Sequence, residues 1–467
     1  MSKKICIFIL FLPMIFLFLQ SFYIIPLKVP VYDIIIAITF AFLLYSDKFL
    51  LKYIIFFSQI TVVRILMLYI IWVISTGFIL LLLGFFSISN FIYGVLLLFL
   101  YNNIVWFLYP ALIFPRIFSL KSLSKYLFVA IYIICVYGLL QYFLSKNGIY
   151  ILDYVQNIIT NRRLASNEIL NGLRVYSVFE EPGYLGGFLC INIPLIYNLA
   201  LSEFQLFKNL VIDFILKKTI IPILWITLIF AKSPIWFIFA IIVSVIYLYK
   251  YNKVKFIYTI ITILTIILLS LTLNSAINKD SLSDSFLIRI YKTLISFTKP
   301  EEFVVQEPSL FNRVIGYSTR FKIFLKYPIT GVGYKNAEYH SYKPLLELNL
   351  PLTQETINTV ARADERIVTN GSILFNALSD TGLFGTILFY TFMLYNIIFL
   401  KKIIKHIPKS LESDLAYGIK NACIVMICVS FYDIRSNFVY FWFLFGLTLS
   451  FVIYCIKQKN LLKKEVE

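Results

Sequence analysis

Apolar stretches close to 20 residues long recur along most of this chain, and a helix needs about that length to cross a hydrocarbon layer of roughly 30 Å. Twelve can be read, at about 5–25, 30–46, 63–86, 91–114, 124–144, 184–202, 219–231, 234–249, 256–275, 372–400, 415–433 and 437–456. Composition agrees. With 60% hydrophobic and 14% charged residues, and a mean hydropathy of +0.86, too little polar surface remains to cover a soluble core. The expectation is an all-α polytopic integral membrane protein of about twelve transmembrane helices. The second, seventh and eighth stretches are short, and Pro234 leaves open a hairpin for the last two instead of two full crossings.

Charge assigns the two sides, because lysine and arginine accumulate in short cytoplasmic loops. With Met1 inside, the inner segments hold 23 of the 42 basic residues against seven acidic ones, so the inner face carries +16 of the net +18. Both termini are then cytoplasmic. The positive charge reports topology, and no nucleic-acid partner is implied. Lys3 and Lys4 precede an apolar run as in a signal peptide, but no small-x-small cleavage site follows, so this run reads as a retained first helix. All six cysteines fall within apolar spans, which implies neither a disulfide framework nor a thiolate metal site.

The chain therefore divides into spans 1–5 (1–144), a first external loop (145–183), spans 6–9 (184–275), a large and mainly helical external loop (276–371), and spans 10–12 with a cytoplasmic tail (372–467). The first loop has four basic and four acidic residues, the second twelve and ten. Dense but balanced charge indicates a folded cap and not a disordered polyelectrolyte. In the large loop, Ser309 and Asn312 can cap a helix from about Arg313 to Tyr327 that stops at Pro328, with Val314, Ile315, Phe321, Phe324 and Leu325 as its apolar side. Arg313 and Arg320 are two turns apart, on nearly one face and about 10 Å from each other. Pro328-Ile-Thr-Gly331-Val-Gly333 reads as a turn whose glycines permit positive φ, and 353–368 as a second loop helix carrying Arg362 and Arg366. Asp380 falls some nine residues into the tenth span, a costly place for a carboxylate unless it is paired, and is expected to make a hydrogen-bonded helix contact.

An arginine, Pro-x-x-Gly-x-Gly eight residues later, a polar stretch and then a re-entering helix with Gly-Leu-Phe-Gly is similar to the bacterial O-antigen polymerase and ligase superfamily. Arg320, Pro328, Gly331, Gly333, Gly382, Leu383 and Gly385 carry that pattern. Arg174-Val-Tyr-Ser-Val-Phe-Glu-Glu181-Pro182-Gly-Tyr-Leu-Gly186-Gly187 resembles the arginine and Glu-Pro start of a helix seen in polymerase members. Ligases usually place a histidine where this chain has Asn370, and the external histidine is His340, some 30 residues earlier. That departure favours polymerase over ligase.

The resemblance implies an inner-membrane glycosyltransferase that joins oligosaccharide repeats carried on undecaprenyl pyrophosphate, at the outer face of the membrane. It also implies membrane lipid and a chain-length regulator protein as partners. The leaving pyrophosphate needs charge stabilisation more than protonation, and arginine offers paired donors to phosphate oxygens. Arg174 and Arg320 are the expected pyrophosphate ligands, with Arg313, Arg289, Arg362 and Asn370 as further substrate contacts. Glu181 is the expected base for the acceptor hydroxyl, with Glu180 its rival, and His340 a base or a sugar-binding hydrogen-bond donor. No external Asp-x-Asp occurs, so neither a metal nor a nucleotide-sugar donor is expected. A flippase would have short external loops and ionisable residues deep in its spans, the reverse of this pattern.

Overall fold

The computed structural model describes residues 23–24, 29–30, 60–96, 98, 107–117, 119–153, 175, 177, 182–251, 308–348, 371–405, 407–432, 440–451 and 454. Apart from a two-residue antiparallel ladder, β1 (Tyr23–Ile24) with β2 (Val29–Pro30), the described elements are helical. In chain order they are α1 (Thr61–Leu82), α2 (Ile88–Leu96), α3 (Tyr109–Ile117), α4 (Leu120–Lys146), α5 (Pro182–Ala200), α6 (Leu210–Phe230), α7 (Pro234–Tyr251), α8 (Pro308–Lys326), α9 (Tyr342–Leu346), α10 (Ile373–Ile404) and α11 (Leu411–Ser430). A last apolar helix, α12, covers Tyr440–Phe451. Five of these, α1, α4, α5, α10 and α11, are long and apolar enough to cross a membrane. The described residues are thus almost entirely helical, and include helices able by length and composition to span a membrane. Three of the twelve expected spans, 5–25, 30–46 and 256–275, lie essentially outside the described residues, as does the loop helix expected at 353–368.

Helix α5 is the centre of the bundle. It packs against α11, α7, α6 and α4, and 78% of its apolar window is buried, against 33% for α1 at the periphery. Between apolar helices, hydrogen bonds and small residues supply the cohesion that hydrophobicity cannot supply in lipid. Trp225 Nε1 donates to Tyr197 Oη at 2.9 Å, Tyr440 Oη donates to Asn192, and Thr448 Oγ1 donates to Asn396 Oδ1 at 2.8 Å. Gly186 and Gly187 leave room on α5 for the Trp236 side chain of α7, whose nearest atoms stand 3.0 and 3.1 Å from where their Cβ atoms would be.

Two boundaries differ from the hydropathy reading. Helix α6 starts at Leu210, nine residues before the apolar stretch, because its charges are satisfied: Lys217 pairs with Asp213 at 3.1 Å, and Asp213 Oδ1 accepts the Leu206 and Phe207 N–H groups. Helix α8 starts at Pro308 instead of near Arg313. Its buried stripe is Phe311, Asn312, Ile315, Gly316, Thr319, Arg320 and Ile323. Of the apolar side expected from sequence, Ile315 is buried, whereas Val314, Phe321 and Leu325 are exposed.

The helix on the expected tenth span is broken. Helix α10 is interrupted at Gly382, which has φ of +68° and ψ of −173°. The break frees backbone groups that an uninterrupted helix would pair internally. They are taken up by the turn that follows α8: Val332 N donates to Ser379 O, Gly333 N to Asp380 O, and Leu383 N to Pro328 O, all at 2.8–2.9 Å. Trp72 of α1 donates its indole N–H to Thr381 O at 3.1 Å. The turn adopts the positive φ anticipated for it, +64° at Gly331 and +93° at Gly333. The approach is so close that a Cβ on Gly382 would lie 2.0 Å from Ile329 O.

Replacing Gly382 with alanine adds that backbone collision to left-handed strain, and is expected to destabilise by about 3 kcal/mol. Gly84 also has a positive φ, +76°, but its Cβ would meet nothing within 4 Å. Gly84→Ala should therefore cost only about 1 kcal/mol. Thermal unfolding of the detergent-solubilised variants checks the contrast.

Candidate active site at the helix break

Arg320 lies on the buried stripe of α8, which packs on α10, and its residue is 4% exposed. Its Nη1 is 3.5 Å from Asp380 Oδ1 and its Nη2 is 4.0 Å from Glu338 Oε1. Nε is buried with no hydrogen-bond partner in the protein, and so is Asp380 Oδ1. Asp380, also 4% exposed, instead has Oδ2 held by the Lys335 N–H at 3.1 Å. Lys335 is one of three non-glycine residues with positive φ among the described residues, at +64°. Strained backbone of this kind persists where its surroundings over-determine it, commonly at functional sites. A buried guanidinium thus stands between two carboxylates without closing a tight hydrogen-bonded pair, whose distance is about 2.8 Å.

Asn376 lies one turn before Asp380 on α10, and its buried Oδ1 lacks a hydrogen-bond partner in the protein. At the spacing of four, the two side chains share a helical face. Tyr317 of α8 stacks on Phe375 of α10 with centroids 5.2 Å apart, which fixes the two elements beside each other.

Arg313 has a different partner. Its Nη1 donates to Tyr432 Oη at 2.6 Å, and the guanidinium lies 5.3 Å from the centroid of that ring. Tyr432 in turn packs against Trp236 and Phe239, each at 5.8 Å. The two arginines, two turns apart on one helix, are thus engaged by different elements. Through Trp236, this aromatic cluster reaches Gly186 and Gly187 of the second sequence motif. Two residues of that motif next to Arg174 are described. Val175 N donates to Phe230 O at 2.9 Å, and Ser177, with φ of +53°, donates Oγ to Ile134 O at 2.8 Å. Arg174, Glu180, Glu181, Arg289, Arg362 and Asn370 lie outside the described residues.

His340 follows the motif turn. Its ring is 6.0 Å from that of Phe85 and 6.4 Å from that of Tyr327, and its buried Nε2 has no hydrogen-bond partner in the protein. Burial, and then the nearby Lys326 charge, push the imidazole below its ordinary range, against a hydrogen bond with the Phe85 backbone that raises it. The ring is therefore neutral at pH 7. Among the described residues no group of three histidines, cysteines or carboxylates could hold a metal ion.

Sequence reasoning overlooked Asp380 as the partner of Arg320, and Glu338 and Lys335 altogether. The usable signal was a carboxylate two residues before a glycine inside an apolar stretch, which suits a pairing where a helix breaks. No protein-family model matches this chain, and no curated protein matches it in sequence.

A histidine held below its ordinary value stabilises the fold while neutral and withdraws that stability as pH falls, because the unfolded chain takes up the proton first. Acidification from pH 7 through about 6.5 and below should lower the unfolding midpoint of the wild type. His340→Asn should flatten that dependence in the same pH window, as read by thermal unfolding at each pH.

Proposed function

We propose that the chain is a polysaccharide polymerase, which transfers oligosaccharide repeats from an undecaprenyl-pyrophosphate carrier at the non-cytoplasmic face of a bacterial inner membrane. The observation that carries this reading is the state of Arg320: a cation withdrawn from water, on a helix face, with one donor unused and its carboxylates at arm's length. A permanent cation placed at a departing diphosphate stabilises the charge that develops there, and works best where water is excluded and no reorganisation is needed. The two sequence segments that carry the family resemblance, Pro328–Gly333 and Gly382–Gly385, are joined by the bond from Leu383 N to Pro328 O, and Gly333 N also donates to the carbonyl of Asp380, the guanidinium's partner.

The orientation belongs to the same proposal. Phe85, Tyr327 and His340 gather at the C-terminal end of α1, and Arg313 reaches the C-terminal end of α11. The N-terminal end of α11 lies elsewhere, where Asp414 accepts from Ser202 at 2.6 Å and Lys217 donates to Phe204 O at 2.7 Å. The lysine-rich end thus differs from the Arg320 end. By the bias of basic residues toward the cytoplasm, Arg320 then faces outward and both termini face inward, with twelve spans in all. Arg174 joins Arg320 on the diphosphate and Glu181 serves as the acceptor base in this proposal, both on the strength of the sequence motif.

A ligase reading has one observation in its favour. His340 stands in the same turn region as the motif glycines and keeps an unpartnered Nε2, which brings a histidine near the site despite Asn370.

Arg320→Lys keeps the charge but loses the planar fork, and should lower polymer formation by about 100-fold, with Arg320→Ala at least as severe. Gel analysis of surface polysaccharide in a deletion strain complemented with each variant reads the outcome. Loss of polymerase leaves one repeat on the lipid core; loss of a ligase leaves bare core with polymer still on its carrier. A full-length ladder from Arg320→Ala would remove Arg320 from the chemistry.

A further inference from the structure

We infer that Asp380 is a positioning residue that acts as an exchangeable counter-ion to Arg320, compensating the guanidinium while the site is empty and yielding it to a diphosphate. This rests on the reading of Arg320 given above. A buried cation cannot be left without a compensating charge, because water is not there to solvate it. Something must therefore neutralise Arg320 before substrate arrives and after product leaves. A tight bidentate pair would do so, but would also occupy the donors that a phosphate needs.

The geometry avoids that. Asp380 Oδ2 is tied to the Lys335 N–H, and its main-chain carbonyl is tied to Gly333 N. The carboxylate is anchored to the motif turn, and does not follow the guanidinium. Its other oxygen, Oδ1, consequently stops 3.5 Å from Nη1 and makes no hydrogen bond. Glu338 stands farther off at 4.0 Å, on the second amino group. Two negative charges around one positive charge compensate the empty site, yet neither holds Arg320 at full strength. Nε stays unpartnered, so neither carboxylate engages that donor. Once a diphosphate is bound, the same carboxylates repel it, which weakens ground-state and product binding while preserving the orientation of the fork.

The counter-ion role makes two measurements move in opposite directions. Asp380→Asn keeps the side-chain shape and the oxygen that accepts from Lys335, but removes the competing charge. Calorimetric titration of the full-length protein in detergent with inorganic pyrophosphate should show binding about tenfold tighter in this variant than in wild type, and none in Arg320→Gln. Polymer formation by Asp380→Asn should at the same time be slower, because the guanidinium loses its orientation and product leaves less readily. A residue that only supports the fold would lower affinity and rate together. Glu338→Gln carries the same expectation with a smaller gain in affinity, and decides the question if Asp380→Asn does not accumulate. Absence of pyrophosphate binding, or binding indifferent to Arg320, would overturn the reading of Arg320 itself. Binding that depends on Arg320 but is unchanged or weaker in the carboxylate variants would overturn the counter-ion role alone.

Discussion

A helix can break inside an apolar bundle only if the amides and carbonyls released at the break find partners, since each one left bare costs several kcal/mol in a medium without water. In α10 the break at Gly382 is met by the turn Pro328–Gly333, which supplies two N–H donors and one carbonyl acceptor, and by the Trp72 indole. This contact decides where the proposed site can be. It brings the end of α8 against α10, sets Asp380 at the last turn before the break, and thereby gives Arg320 a carboxylate neighbour that is 60 residues away in sequence. The glycines follow from the same contact, because a side chain at 331 or 382 would enter the opposite backbone.

Burial of Arg320 then becomes understandable as a cost carried for the proposed function. An isolated ion pair in a low-dielectric setting adds little stability compared with apolar residues of the same volume. A pair at 3.5 Å with an unused Nε adds less still. What such an arrangement does supply is a cation whose strength is not attenuated by solvent, held in place by rigid elements on both sides. Arg313, although on the same helix, is given to Tyr432, and anchors α8 to the end of α11 and the Trp236 cluster. One helix thus carries one arginine that fastens it and one that is kept available.

Much of the bundle was readable in the sequence because the constraint on it is local. An apolar run of about 20 residues has few alternatives, and α1, α4, α5, α10 and α11 all fall on such runs. The boundaries were less readable where charge intrudes: Lys217 and Lys218 interrupt the hydropathy of α6 but not the helix, since Asp213 and the Ser202 and Phe204 carbonyls answer Lys217 and the Phe214 ring lies under Lys218. At the site, Arg320 and the glycines of the turn were legible from their pattern. Their meaning was not, because it lies in a long-range pairing of two backbones. Asp380 read as a span carboxylate with a hydrogen-bonded helix contact, and only the break shows that its partners are a turn amide and Arg320. Glu338 and Lys335 offered no pattern at all; they matter through a turn geometry that no short spacing encodes.

Transfer at the outer face requires the Arg320 end of the bundle to face away from the cytoplasm while the lysine-rich end faces into it. Cysteine labelling tests this most directly, using Tyr339→Cys beside the motif turn and Lys402→Cys at the far end of α10, both exposed positions. A membrane-impermeant maleimide applied to intact spheroplasts should label position 339, and should reach position 402 only after permeabilisation. Labelling of 402 with protection of 339 would place Arg320 in the cytoplasm and contradict transfer at the outer face.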